Sequence, residues 1–300
     1  LFSSCQDEVE IYEENVPVKA IIPEEDKAII EQLGLDLSTL VDKGDDYQLE
    51  GDIMLSKEHL REYLNEPEEG KTTKQGYISN TRLISIPKSR NITVRIDPAI
   101  PTSGSASIWR QAVIDAVNAW NSIGLTCLKF TYTTASSADI TVTREYSSDN
   151  AIAWTWLPNY QKPSNKIVVN SRYDNYEYQA NTLIHEMGHS IGLLHSHVTP
   201  ATEGGIVVPG TPNIDDSSIM SYNRDRTLLP GFSKYDLFAI RYLYPSKLPY
   251  INVKEKSFSS GRYTLTLMNH NDFPGGIRWE LENAKMTSYF STSHDIEILR

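Results

Sequence analysis

The segment His185–His195, HEMGHSIGLLH, constrains this chain more than any other part of its sequence. His185 and His189 are four residues apart, so on a helix they lie on the same face and can bind one metal ion together. Gly192 tolerates the left-handed backbone that ends many helices, and a turn there would bring His195 back to the same ion. Three histidines leave a fourth metal position for water, which is the arrangement of a catalytic zinc ion.

Glu186 is the predicted general base of this site. Zinc lowers the pKa of its water, and a carboxylate beside His185 can take the proton from that water and return it to a leaving amine. The shorter pattern His-Glu-x-x-His also arises on charged helices, where the histidines are solvated and the glutamate lies on the surface. The spacing of Gly192 and His195 favours the metal site instead.

A second segment, Ser218–Tyr222 or SIMSY, places Met220 25 residues after His195. Together the two segments resemble the metzincin metallopeptidases, in which a methionine-containing turn lies beneath the zinc ion. The resemblance implies that Met220 is that methionine. It also implies that Tyr222 donates a hydrogen bond to the attacked carbonyl oxygen, as in astacin-type enzymes. The alternative for Tyr222 is packing in the core.

Within the metzincins, the sequence is most similar to the Bacteroidota peptidases of the dual-action HEIGH family. The similarity runs from about residue 80 to Pro245 and is carried by 116–121 (AVNAWN), 185–195, 209–212 (PGTP) and 216–220 (DSSIM). It implies an α+β fold of the metzincin-like zincin type, with a mixed twisted sheet, an active-site helix, a Met-turn and a C-terminal helix. It also implies a Zn2+ cofactor and protein or peptide substrates.

Acidic residues are concentrated at the start of the chain. Residues 1–70 carry 20 acidic and 5 basic side chains, a net charge of −15, whereas residues 71–300 have a net charge of +4. The difference predicts an acidic segment that is removed from a mildly basic enzyme, and it argues against nucleic acid as a partner. The alternative is a solvated acidic surface on one continuous domain.

The segment Leu49–Leu55, LEGDIML, lies inside this acidic region. It resembles the propeptide motif of astacin-type enzymes, an apolar or aromatic residue followed by x-Gly-Asp. The resemblance implies that Asp52 binds the zinc ion in place of water and that Gly51 lets the backbone pass close to the metal. Asp52 would then be a latency switch. The alternative is an ordinary Gly-Asp turn before a strand.

The first residues, Leu1–Cys5, resemble the end of a bacterial lipoprotein signal peptide, with Cys5 as the acylated residue. The resemblance implies an extracytoplasmic protein, either secreted or held on the outer-membrane surface of a bacterium by a lipid anchor. No apolar run approaches the roughly 18 residues of a transmembrane helix, so membrane contact is expected only through that anchor. Two alternatives for Cys5 are a disulfide bond with Cys127 and a zinc ligand in a latent form.

These features divide the chain into three parts: residues 1–76 as a lipobox-like end and propeptide-like segment, residues 77–245 as the catalytic domain, and residues 246–300 as a small β-rich module. The module is short enough to be a truncated domain. The polar residues 67–76 form the predicted linker and processing site. Residues 107–124 have helical spacing, and residues 152–157 predict the edge strand to which an extended substrate adds.

The sequence therefore predicts a zinc-dependent endopeptidase made as a latent precursor. The main alternative is a noncatalytic zinc-dependent binding protein on the cell surface, although such a protein has no use for Glu186 beside an open metal position. Hydrolysis of a non-peptide amide or ester by the same site is a further alternative. The sequence indicates neither the identity of the substrate nor the oligomeric state.

Overall fold

The computed structural model describes the chain in several ranges. Side chains are described for residues 22–61, 83–159, 162–196, 208, 210–212, 214–221 and 231–246, and the backbone is described for strands at 250–257, 262–268, 285–286 and 295–299. Cys5, the predicted linker at 67–76 and Tyr222 lie outside these ranges.

A mixed sheet forms the centre of the fold. Its strands are β1 (Val41–Asp42), β2 (Asp46–Leu49), β3 (Ile53–Ser56), β4 (Ile92–Ile96), β5 (Phe130–Tyr132), β6 (Ile140–Glu145), β7 (Ala153–Trp156) and β8 (Lys166–Asn170). Their order across the sheet is β1-β2-β3-β7-β8-β6-β4-β5. The strands β5, β4, β6 and β8 are parallel, whereas β7 runs antiparallel to β8.

The N-terminal segment supplies the first three of these strands. They form an antiparallel meander, and β3 then pairs in parallel with β7, with Ile53 opposite Thr155 and Met54 opposite Trp156. The prediction of a strand at 152–157 is confirmed, but the prediction that it is an edge strand is wrong for this chain. The reason is that β3, far earlier in the sequence, covers that edge.

The described residues include five α-helices: α1 (Glu24–Gln32), α2 (Ile86–Ser89), α3 (Ile108–Asn121), α4 (Gln179–Ser190) and α5 (Lys234–Leu243). The helix predicted over residues 107–124 is confirmed by α3. The predicted C-terminal helix is α5, which begins with a capping box between Ser233 and Asp236. Helices together with a mixed sheet confirm the predicted α+β class.

Helices α3 and α4 pack against each other, and α4 also packs against β7 and β8. Trp109 and Trp120 of α3 are fully buried, as their helical spacing predicts. The Trp120 indole N–H donates to the Ile184 carbonyl of α4 at 3.1 Å, so this buried polar atom is satisfied. The contact fixes α4 relative to α3.

The N-terminal segment shares this core. Ile29, Ile30, Leu49 and Leu55 are each 1% exposed or less, and they lie in the same cluster of buried side chains as α3 and α4. Full burial of a Leu or Ile side chain is worth about 1.5–3 kcal/mol. Residues 22–61 are therefore held to the rest of the protein chiefly by apolar packing, and their removal would expose an apolar surface.

Residues beyond α5 form a second sheet. Its strands are β9 (Tyr250–Ser257), β10 (Arg262–Met268), β11 (Lys285–Met286) and β12 (Asp295–Leu299), all antiparallel in the order β11-β12-β10-β9. The strand-like pattern of this region is thus present, while the division of the chain at residues 76 and 245 stays a prediction. Within the described part of the chain, no helix has the length and apolarity required to cross a bilayer.

Candidate metal centre

Helix α4 and the turn after it place three histidines together. His185 and His189 lie on one face of α4, as their spacing predicts. Gly192 has φ +105°, and the N–H groups of Gly192 and Leu193 donate to carbonyls of the last helical turn. This pattern is a Schellman motif, in which a residue with left-handed backbone ends the helix. The chain therefore reverses at Gly192 and returns His195 to the helix, as predicted.

The Nε2 atoms of the three histidines converge. They are 2.9 Å apart between His185 and His189, 3.2 Å between His185 and His195, and 3.3 Å between His189 and His195. None of the three side chains is more than 4% exposed. Zinc–nitrogen bonds of about 2.0–2.1 Å at tetrahedral angles place the ligand nitrogens about 3.3 Å apart. The spacing therefore fits one zinc ion.

The other ring nitrogen indicates the tautomer of two of these histidines. Nδ1 of His185 lies 2.7 Å from the Ile219 carbonyl, and Nδ1 of His189 lies 2.6 Å from the Leu193 carbonyl. Because a carbonyl oxygen can only accept, Nδ1 donates and Nε2 presents a lone pair. Converging lone pairs cannot hydrogen-bond to each other, and a metal ion satisfies them together.

A turn of the N-terminal segment adds two carboxylates to this cluster. The turn connects β2 to β3, and its residues Glu50 and Gly51 have φ of +50° and +87°. Asp52 lies 3.3 Å through Oδ1 from His195 Nε2, and 3.4 Å through Oδ2 from His185 Nε2. The Glu50 carboxylate accepts a hydrogen bond of 2.6 Å from His195 Nδ1. Asp52 and the three histidines thus form a buried group with the geometry to hold a metal ion.

Charges within this cluster set its ionisation. Burial raises the pKa of the Asp52 carboxyl, but His195 and His185 outweigh burial and hold that pKa well below its usual value. Burial, followed by repulsion from the other two histidines, lowers the pKa of His189 well below its usual value. Burial also lowers the pKa of His195, yet Asp52 and Glu50 raise it to about 10. Asp52 is therefore a carboxylate and His189 a neutral imidazole, which are the forms that bind metal. His195 keeps its second proton beside Asp52 and Glu50 in the metal-free protein, and a metal that binds there must displace the proton on Nε2.

The sequence from residue 47 to residue 244 matches the family described as dual-action HEIGH metallo-peptidases. The chain belongs to this family. It is therefore a zinc metallopeptidase, and the resemblance found in the sequence is confirmed. The buried cluster of three histidines and one aspartate fits the zinc cofactor of such an enzyme.

Two solved structures are also similar to this chain. High choriolytic enzyme 1, a hatching enzyme zinc-protease from the medaka fish Oryzias latipes, is 17% identical, with a TM-score of 0.38 and a match that covers 57% of this chain and 98% of that one. Myroilysin is 18% identical, with a TM-score of 0.38 and coverage of 59% and 92%. No curated protein sequence matches this chain.

In this HEIGH metallopeptidase, the predicted Met-turn lies against α4. Met220 is fully buried, and a Cβ atom on Gly188 would lie 2.5 Å from the Met220 sulfur, so the glycine of the histidine motif makes room for the methionine. Asp236, at the start of α5, accepts hydrogen bonds from the Ser218 hydroxyl at 2.5 Å and from the Ile219 N–H at 2.8 Å. Helix α5 therefore fixes the turn whose carbonyl holds His185.

The remaining predicted residues are only partly within the described ranges. Glu186, the predicted general base, is 1% exposed within α4. Tyr222 and Cys5 lie outside the described residues, so their roles stay predictions. Cys127 is half-buried, and its Sγ lies 3.0 Å from the Ser89 hydroxyl.

Sequence reasoning missed two residues that support the ligands. Glu50 contacts His195, and its only sequence signal is its place directly before Gly51 and Asp52 in the motif-like segment. Asp236 supports the Met-turn, and its signal is the capping-box spacing that it makes with Ser233.

Proposed function

We propose that this metallopeptidase is an endopeptidase made as a latent precursor, with Glu186 as its general base. The observation that carries the proposal is the position of Asp52. Its carboxylate oxygens lie 3.3 to 3.9 Å from the three histidine Nε2 atoms, on the side where a catalytic zinc site keeps a position for water. A chain in this form has a carboxylate where its nucleophile is required.

Catalysis after removal of the segment would use residues of α4 and of the Met-turn. Zinc, when bound, supplies Lewis acidity that activates water and polarises the scissile carbonyl. Glu186, which is buried next to His185, accepts a proton from the attacking water and delivers it to the leaving amine. Tyr222, two residues after Met220, donates a hydrogen bond to the carbonyl oxygen as negative charge develops there.

The same segment covers the strand that we assign to substrate binding. An extended peptide adds to a sheet edge through main-chain hydrogen bonds, and β3 occupies that edge of β7. Trp154 and Trp156 alternate with buried residues along β7, and the Trp156 indole N–H donates to Asp46 of β2 at 3.0 Å. Release of β2 and β3 would open the edge and free Trp156 to line a subsite.

The test compares the full chain before and after cleavage within residues 67–76, with unfolded casein as the substrate and with bound zinc quantified in each sample. We expect activity in the cleaved form alone, because cleavage lets Asp52 and β3 leave the site. A cleaved Glu186→Ala chain should retain zinc and lack activity.

Equal activity before and after cleavage would contradict latency. A cleaved wild-type chain that holds one zinc ion and hydrolyses no casein would instead favour the noncatalytic binding protein. These two results are distinguishable because the zinc content is measured independently of the activity.

We also propose that Cys5 is acylated, which would make the enzyme an extracytoplasmic, surface-anchored or secreted protein of a bacterium. The support is the resemblance of residues 1–5 to a lipoprotein signal. Mass spectrometry of protein from cells that export it should find a lipid adduct on the wild type and none on Cys5→Ala. A free thiol, or a disulfide bond between Cys5 and Cys127, would contradict the anchor.

A further inference from the structure

We infer that Glu50 is a positioning residue of the metal centre, whose carboxylate orients His195, so that the N-terminal segment helps to assemble the site that it blocks. The inference rests on the proposed function, in which residues 22–61 belong to a removable segment. Asp52 of that segment is proposed to block the site. The inference gives the segment a second task, which is to retain the metal before activation.

The three histidines differ in what holds their second nitrogen. His185 donates to the Ile219 carbonyl of the Met-turn, and His189 donates to the Leu193 carbonyl after α4. Both carbonyls belong to the body of the enzyme. His195 instead donates to a carboxylate of the N-terminal segment, Glu50, at 2.6 Å. Of the three histidines, His195 is therefore the one whose Nδ1 is held by that segment.

Glu50 is held in a backbone conformation that residues with side chains rarely adopt. Among the described residues, Glu50 and Leu125 are the positions other than glycine with positive φ. The Glu50 N–H donates to the Thr39 hydroxyl at 2.8 Å, and Glu50 Oε1 accepts from the Asp36 N–H at 3.1 Å. The first contact anchors the backbone of the turn, and the second holds Oε1, which leaves Oε2 directed at His195. A residue that is held in such a backbone conformation by its surroundings points to a functional constraint.

A carboxylate on the outer nitrogen of a histidine fixes the ring and raises the basicity of the ligating nitrogen. Glu50 and His195 are both nearly fully buried, so water competes little for this contact. A precursor with Glu50 in place should therefore hold zinc more tightly than the same three histidines do after the segment has left. Activation would both vacate the Asp52 position and loosen the third ligand.

The test is the zinc affinity of the full chain, measured by competition with a chromophoric chelator and accompanied by absorption spectra of the Co2+-substituted protein. We expect Glu50→Gln to weaken zinc binding by about 10–100-fold, which is the usual cost of losing such a partner. The Co2+ bands should change as well, because the His195 ring reorients. Glu50→Asp, which keeps the charge on a shorter side chain, should lie between wild type and Glu50→Gln.

Two variants serve as controls. Glu58→Gln changes an exposed glutamate of the same segment and should alter neither the affinity nor the spectrum. Thr39→Val removes the hydroxyl that accepts the Glu50 N–H but keeps the carboxylate, so it should retain most of the wild-type affinity. Far-ultraviolet circular dichroism checks that each variant is folded. If Glu50→Gln does not fold, the comparison of Glu50→Asp with the wild type provides the test.

The inference is overturned if wild type and both Glu50 variants bind zinc equally well. It is also overturned if Thr39→Val weakens binding as much as Glu50→Gln, because the effect then belongs to the shape of the turn and not to the carboxylate. A wild-type chain that binds no zinc would overturn the proposed function together with the inference. Failure of the inference alone leaves zinc bound to the wild type, so the two failures are distinguishable.

Discussion

Two regions of the molecule deliver side chains to the metal centre, and they are built differently. Helix α4 carries His185 and His189, and the glycine turn that ends it returns His195. The turn between β2 and β3 carries Glu50 and Asp52, and part of it has a left-handed backbone. The first region is a regular element with regular spacing, whereas the second is a hairpin turn whose position depends on the pairing of β3 with β7.

Under the proposed latency, the difference separates the parts that must persist from the parts that leave on activation. Helix α4 is fixed by α3 and by the Met-turn, which belong to the body of the enzyme. The hairpin is fixed by apolar packing and by one strand edge, and the neighbouring turn between β1 and β2 adds a surface contact between Lys43 and Asp149. Loss of the hairpin would remove two carboxylates and leave the three histidines. Variants in α4 should therefore change the chemistry or the fold, whereas surface variants of the N-terminal segment should change only how firmly that segment is attached.

The largest effect is expected in α4. In the cleaved enzyme, Glu186→Gln should lower kcat for casein by about 10²–10⁴-fold, because an amide cannot take the proton from water. Its zinc content should equal that of the wild type. Glu177→Gln, which changes an exposed glutamate just before α4, should leave kcat unchanged. Wild-type activity in Glu186→Gln would exclude Glu186 as the base.

A smaller effect is expected where α4 meets the Met-turn. Gly188→Ala should lower the free energy of unfolding by about 1–3 kcal/mol, the usual cost of overpacking a core. The added Cβ would lie 2.5 Å from the sulfur of Met220, which is fully buried and must repack. Urea denaturation of the full chain measures the change.

Gly124→Ala is the matched control, because a Cβ atom at Gly124 would meet no atom within 4 Å. The two variants add the same methyl group at a crowded and an open position. Equal stability of Gly188→Ala and Gly124→Ala would show that α4 and the Met-turn are not closely packed in solution.

The smallest effect is expected at the surface of the N-terminal segment, in the turn between β1 and β2. Lys43 Nζ lies 2.6 Å from Asp149 Oδ2, with the two side chains 30% and 39% exposed. The hydrogen bond from Lys43, followed by that from Ser147, lowers the pKa of Asp149. Because water screens this pair, Lys43→Met should lower the free energy of unfolding at neutral pH by less than about 1 kcal/mol.

The pH dependence of this effect has a defined sign. A carboxyl whose pKa is lowered by folding stabilises the fold above its unfolded pKa, and that contribution is lost as the pH falls through the folded pKa. Wild type and Lys43→Met should therefore differ at neutral pH and converge in acid below the pKa of Asp149. Urea titrations across this range measure the difference. A difference that persists in acid would assign the contribution of Lys43 to packing instead of charge.

The α4 side of the site could be predicted from the sequence because its information is local. The spacing of His185 and His189 requires only a helix, and Gly192 indicates where that helix ends. The family resemblance then indicates Met220 and the fold around it. A short stretch of sequence thus contains both the ligands and the backbone that positions them.

The hairpin side could be predicted only in part. A motif indicates Asp52, but Glu50 has no signal beyond its place beside that motif. Its contact with His195 depends on how the hairpin docks against residues far away in the sequence. The wrong edge-strand prediction for β7 has the same cause, since strand partners are set by long-range pairing. Likewise the capping-box spacing marks Asp236, but only the folded chain brings it to the Met-turn.

Gly192 ends α4, and the carbonyl of the next residue, Leu193, receives the Nδ1–H of His189. One short piece of backbone therefore both stops the helix and aims a ligand. Apart from Gly192, whose left-handed backbone favours glycine, its side chains can be exchanged for others of similar bulk. One inserted or deleted residue between His189 and His195, however, would disturb both tasks at once. Variants that keep the metal centre must therefore keep the length of this segment, whereas much of its composition can change.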